Sequence, residues 1–88
     1  MKAIIQIQPT DNVAVVTGDI LKAGTCVTAE GTKELKVMED IPFGHKMALR
    51  DSEPGEAVVK YGFPIGRASR KIRSGEWVHT HNMATGLE

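Results

Sequence analysis

Cysteine is all but missing from this sequence. Cys26 stands alone, so no disulfide within the chain can staple the fold. An excess of one charge is missing too: eleven basic residues balance eleven acidic ones, and the formal net charge is zero. Without a basic excess there is no electrostatic footprint for a phosphate backbone, which argues against nucleic-acid binding. Long apolar runs are absent. Val13-Ala14-Val15-Val16 is typical of the longest, far short of the roughly 20 residues that cross a bilayer as a helix, so no membrane partner is expected. Met1-Lys2 leads straight into a strand-like pattern, so no secretory leader is expected. The lone cysteine and the missing leader together point to the cytoplasm. Helical periodicity is scarce as well.

What the chain does hold is punctuation. Nine glycines and four prolines fall within 88 residues, and short apolar runs lie between them. The expected strands are Ala3 to Gln8, Val13 to Val16, Thr25 to Ala29, Leu35 to Met38, His45 to Arg50, Ala57 to Tyr61 and Trp77 to His81. Residues 1–88 read as one small, mostly β domain. A chain this short buries about 60–65% of its unfolded surface, which leaves little room for a deep active site of its own.

One regularity orders the punctuation. An anchoring residue, two others, a glycine, two others and an apolar residue recur four times: Leu21-x-x-Gly24-x-x-Val27, Ile41-x-x-Gly44-x-x-Met47, Ser52-x-x-Gly55-x-x-Val58 and Ile72-x-x-Gly75-x-x-Val78. Gly24 to Gly55 and Gly44 to Gly75 are the same distance apart. Each beat fits a tight turn at a glycine with positive φ, followed by a strand that begins on a buried residue. The chain is therefore expected to consist of two pseudo-symmetric halves with little helix.

The chemistry-bearing residues gather late. In Gly75-Glu76-Trp77-Val78-His79-Thr80-His81-Asn82, the alternation of a strand would project His79 and His81 to one face. Two such imidazoles suit a metal ion or an acidic ligand, though two ligands alone rarely hold a catalytic metal. His45 follows a turn glycine and is displayed as an acid, a base, a ligand or a carboxylate-binding cation. Arg50 suits a bidentate carboxylate clamp, with a surface pair to Asp51 as the plainer reading. Lys60 suits substrate or interface contact. Asn82 suits substrate hydroxyls or a histidine tautomer, and equally a turn. Lys46 reads as a solvated lysine, Trp77 as core or subunit contact, and Cys26 as a small core residue.

Four segments carry a resemblance: Asp11-Asn12-Val13-Ala14-Val15, Ile41-Pro42-Phe43-Gly44-His45-Lys46-Met47-Ala48-Leu49, Lys60-Tyr61-Gly62-Phe63-Pro64-Ile65-Gly66-Arg67-Ala68 and Gly75 to Asn82. In this order they resemble the amino-terminal SAF-like domain, or small subunit, of altronate and galactarate dehydratases. The resemblance implies a β-clip fold and a larger catalytic subunit or domain as partner. On that resemblance this chain is expected to be a separate subunit or an excised domain. It implies a hydro-lyase that removes water from a sugar acid to give a 2-keto-3-deoxy acid, with a divalent metal, iron or manganese, in the full enzyme. On that reading His45, His79 and His81 are the catalytic candidates, His79 and His81 the metal candidates, and Arg50, Lys60 and Asn82 the substrate-binding candidates. Little activity is expected from the chain alone. Related small subunits of sulfolactate sulfo-lyases, and non-catalytic β-clip binding modules, are the alternatives. Exposed strand edges also allow a homodimer.

Overall fold

A computed structural model of the chain describes residues 4–28 and 34–85. The strand positions expected at Ala3 and Ala29, and Leu87-Glu88, lie outside the described residues. Nine strands and no helix occur among those described: β1 (Ile4–Ile5), β2 (Val13–Val16), β3 (Cys26–Thr28), β4 (Glu34–Lys36), β5 (Lys46–Ala48), β6 (Ala57–Lys60), β7 (Phe63–Ala68), β8 (Trp77–Val78) and β9 (Met83–Ala84). They form a central sheet in the order β1-β2-β5-β8, a ribbon β3-β4, and a three-stranded sheet β6-β7-β9, all antiparallel. The mostly β, helix-poor fold expected from the sequence is the fold observed, and it is that of a small β-clip domain.

The four beats are the frame. Gly24, Gly44, Gly55 and Gly75 have φ of 88°, 82°, 89° and 88°, a region open to glycine at no steric cost. Each is third in a four-residue turn, the position where a type II turn requires positive φ. The turns close by bonds from Thr25 N to Lys22 O, His45 N to Pro42 O, Glu56 N to Glu53 O and Glu76 N to Arg73 O. The two anchors of each half then pair with each other. Leu21 and Ile41 exchange two backbone hydrogen bonds, and so do Ser52 and Ile72. The pseudo-symmetry read from spacing is thus a symmetry of hydrogen bonding.

Alternation along the central sheet divides the interior in two. Ala14, Val16 and Met47 face one cluster with Leu21, Val27 and Ile41. Val13, Ala48 and Val78 face the other, with Val58, Ala68 and Ile72. The same alternation corrects the reading of Cys26, which is exposed: its neighbour Val27 takes the inward position on β3.

Two strands escaped the sequence reading. β7, the longest, contains Pro64 and Gly66, which look like breakers. Pro64 is tolerated because the β6–β7 register shifts between Val58 and Val59, a bulge of the kind that accepts proline. Gly66 is required by a close crossing, since a Cβ there would lie 2.4 Å from the carbonyl oxygen of Ala84 on β9. The strand expected over Trp77 to His81 is also corrected: pairing stops at Val78, and the chain turns through residues 79–82 before β9.

Candidate functional site

His45 is delivered by the turn Pro42-Phe43-Gly44-His45, whose closing bond from His45 N to Pro42 O measures 3.1 Å. The His45 carbonyl then accepts from Val16 N at 2.9 Å, which fixes the residue at the mouth of β5. His45 and Met47 share a face by alternation, and Met47 pairs directly with Trp77 on β8. The indole therefore falls beside the imidazole. Trp77 Nε1–H donates to His45 Nδ1 at 3.2 Å, and the ring centroids are 5.4 Å apart at 78°.

The other two imidazoles reach the same indole by a different route. His79 stacks on it, with centroids 5.6 Å apart and planes 15° from parallel, and also meets His45 edge-on at 5.0 Å. His81 approaches the indole at 5.5 Å and 60°. Strand alternation is not what gathers them. The turn is held by Asn82, which is wholly buried. Its Oδ1 accepts from His79 N at 3.0 Å, and its Nδ2 donates to Trp77 O at 2.9 Å. Both ends of the amide are thus engaged inside the protein. The turn reading of Asn82 describes this structure, and substrate contact by its side chain does not. His45, His79 and Trp77 are half-buried and His81 is exposed, so the cluster opens on the surface.

Trp77 is the residue that sequence reasoning undervalued. Its backbone N–H points away from β5 and donates to the Glu39 carboxylate at 3.2 Å, while its carbonyl accepts from Asn82. Its side chain packs against the first apolar cluster. The signal was available in the register of Met47 against Trp77, which pairing alone reveals.

Arg50 and Lys60 are not gathered with the histidines. Arg50 is exposed just beyond β5, and among the described residues it makes no ion pair with Asp51, whose carboxylate caps Ser74 N instead. Lys60 ends β6, with its ammonium 4.9 Å from the centroid of the Tyr61 ring. Lys46 is not the solvated lysine expected. It is half-buried, and burial, with the nearby charge of Lys60, pushes its ammonium below the usual lysine value.

Among the described residues no group of three or more His, Cys, Asp or Glu side chains is placed to hold a metal ion. Nδ1 of His45 is already taken by the indole. What the cluster does present is a wall of imidazole and indole edges at the surface.

Comparison with known proteins sets this wall in context. The model of the altronate/galactarate dehydratase SAF domain matches residues 2–86. Over 99% of its length the chain is 45% identical to altronate dehydratase of Bacillus subtilis, of which it spans 17%. It is 41% identical, over 85% of its length, to the alpha subunit of (2R)-sulfolactate sulfo-lyase from Chromohalobacter salexigens, of which it spans 85%. It is 41% identical, over 84% of its length, to galactarate dehydratase (L-threo-forming) of Escherichia coli, spanning 14% of that protein. The chain thus covers under a fifth of the dehydratases it matches. Matched from end to end of its described strands, the chain belongs to the altronate/galactarate dehydratase SAF-domain family.

Proposed function

We propose that this chain is the SAF component of a sugar-acid dehydratase and works with a larger catalytic polypeptide, fused or separate. One observation carries the reading: His45, His79 and His81 converge on one indole at the surface of a chain from this family. The reaction class is loss of water from an aldonate or aldarate such as altronate or galactarate. A proton leaves the carbon beside the carboxylate, the neighbouring hydroxyl departs, and the enol becomes a 2-keto-3-deoxy acid. Negative charge builds on the carboxylate side as the proton leaves, and hydrogen-bond donors aimed there lower the barrier. This chain contributes such donors from the imidazole wall. Iron or manganese, when bound, assists departure of hydroxide. Its main ligands would belong to the larger polypeptide, and His79 and His81 would be the residues of this chain to reach it.

The test is to assay the chain alone and with its catalytic partner on altronate and galactarate. Turnover is expected only in the assembled enzyme, and His79→Ala or His81→Ala there is expected to lower kcat by about a hundredfold. Robust turnover by the isolated chain would overturn the reading. A second reading rests on the 41% identity to a sulfo-lyase alpha subunit. In that case the same assembly expels sulfite from sulfolactate, and including sulfolactate in the assay separates the two. A non-catalytic β-clip binding module is the outcome if no partner and no turnover are found. The exposed free thiol of Cys26 suits the reducing cytoplasm, where we place the enzyme. Self-pairing through β8 is disfavoured, because Glu39 and Asn82 occupy the outward groups of Trp77, so a homodimer would use another surface.

A further inference from the structure

We infer that Trp77 is a positioning residue that fixes the tautomer of His45, and that His45 therefore serves as a fixed hydrogen-bond donor rather than as a proton-transferring acid or base. The inference rests on the proposed function only for the identity of the ligand. An indole nitrogen can donate and cannot accept. The bond from Trp77 Nε1 to His45 Nδ1, at 3.2 Å, thus requires a bare Nδ1, and the ring proton resides on Nε2.

The direction of this bond is secured by what holds the indole. Its backbone is tied to Glu39 at 3.2 Å and to Asn82 at 2.9 Å. Its side chain packs on the first apolar cluster and lies stacked under His79 at 5.6 Å. His45 is anchored independently through Pro42 and Val16. Two rigid supports therefore face the N–H of one ring toward the bare nitrogen of the other.

The chemistry follows from proton balance. With Nδ1 engaged, release of the Nε2 proton would leave an imidazolate, and Nε2 has no free lone pair with which to take a proton or bind a metal. What remains is an N–H aimed at negative charge. A carboxylate oxygen of a sugar acid, gaining charge as its α-proton departs, is the fitting acceptor. The proton itself must then be moved by another group, either His79, His81 or one on the larger polypeptide.

Two measurements test this. In the ligand-free chain labelled with nitrogen-15, at a pH well above the ordinary imidazole value of about 6.5, a through-hydrogen-bond coupling is expected between Trp77 Nε1 and His45 Nδ1. The proton of His45 is expected on Nε2. Trp77→Phe is expected to abolish the coupling and shift the tautomer ratio by about five- to tenfold. In the assembled enzyme, His45→Ala is expected to lower kcat by about a hundredfold. His45→Gln, which keeps a neutral N–H donor and cannot shuttle protons, is expected to stay within about tenfold of the unaltered enzyme. A proton on Nδ1 without the coupling, or a Gln variant that falls as far as the Ala variant, would overturn the inference. Failure of the assembled enzyme on every sugar acid would count against the proposed function and leave the nitrogen measurements to decide the tautomer.

Discussion

Asp11 takes no part in the imidazole cluster, yet it is among the least exposed polar residues of the chain. Its carboxylate accepts from the backbone of Gln8 at 3.0 Å, Tyr61 at 3.1 Å and Gly62 at 2.8 Å. Burial works to raise its carboxyl, and the bonds from Gly62, Gln8, Tyr61 and Ile7 outweigh that, so it is held below the usual carboxylate range. The bonds explain the local backbone: Tyr61, at φ 57°, and Gly62 form the two-residue β6–β7 hairpin turn, in which both central residues have positive φ. Because the folded-state value is depressed, the stabilisation is complete above the unfolded value of about 3.9 and is lost as pH falls through the folded-state value. Asp11→Asn is expected to lower stability at pH 7 by about 2–3 kcal/mol, since an amide group turns a donor toward backbone donors. Urea denaturation at neutral pH and near pH 3 checks both statements: the variant should show a flatter loss of stability toward acid than the unaltered chain. The neighbouring Asn12 extends the same logic, its side chain accepting from Val59 N at 2.8 Å and donating to Ala57 O at 2.9 Å, so that it stands in for a strand partner of β6.

Among the elements, the turns were legible and the crossings were not. The four glycine beats could be read because a type II turn is decided by residues i to i+3. Gly24 and Gly75 look alike in the sequence, and only the structure tells them apart. A Cβ on Gly24 meets nothing within 4 Å, whereas one on Gly75 would sit 2.1 Å from the carbonyl oxygen of Lys36 at the end of β4. Gly24→Ala is expected to lose about 1–2 kcal/mol, from the positive φ alone. Gly75→Ala is expected to lose more, about 3–4 kcal/mol, because the crossing backbone must move as well. Denaturant midpoints of the two variants check the difference, and equal losses would show that the crossing does not matter. β7 failed in the reading for the same reason. The bulge that admits Pro64 and the contact of Gly66 with Ala84 belong to partners on other strands. His79 and His81 were expected to share one face, and each approaches the Trp77 ring. The cause is a turn clasped by Asn82 and an indole within reach, not the two-residue period of a strand.

At the scale of the whole molecule, two small apolar clusters share one central sheet. β2, β5 and β8 contribute side chains to both, so neither cluster can come apart while the other keeps its strands in register. The chain is expected to unfold in a single transition, with total stability of about 0.05–0.15 kcal/mol per residue. Ile72→Ala, in the second cluster, is expected to lower that by about 2–5 kcal/mol. Fluorescence of Trp77, which packs on the first cluster, should shift its midpoint together with circular dichroism. Separate midpoints would mean two independent units. The same sharing bears on function. The imidazole wall is built from the start of β5, the edge strand β8 and the turn after it, and it is only half-buried at His45, Trp77 and His79 and exposed at His81; under the proposed function a companion polypeptide completes the enclosure.

Where the chain turns, which residues begin strands, how its halves repeat and that its formal charges balance could all be read from residue order and composition alone. These depend on conformational preferences within a few residues and on composition. That Trp77 reaches across 32 positions to His45, that Asn82 faces inward and that Lys46 is half-buried came from the folded chain and not from its local pattern. Those outcomes follow from strand register and from which faces pack, and both are set by the joint burial of two clusters drawn from the whole chain.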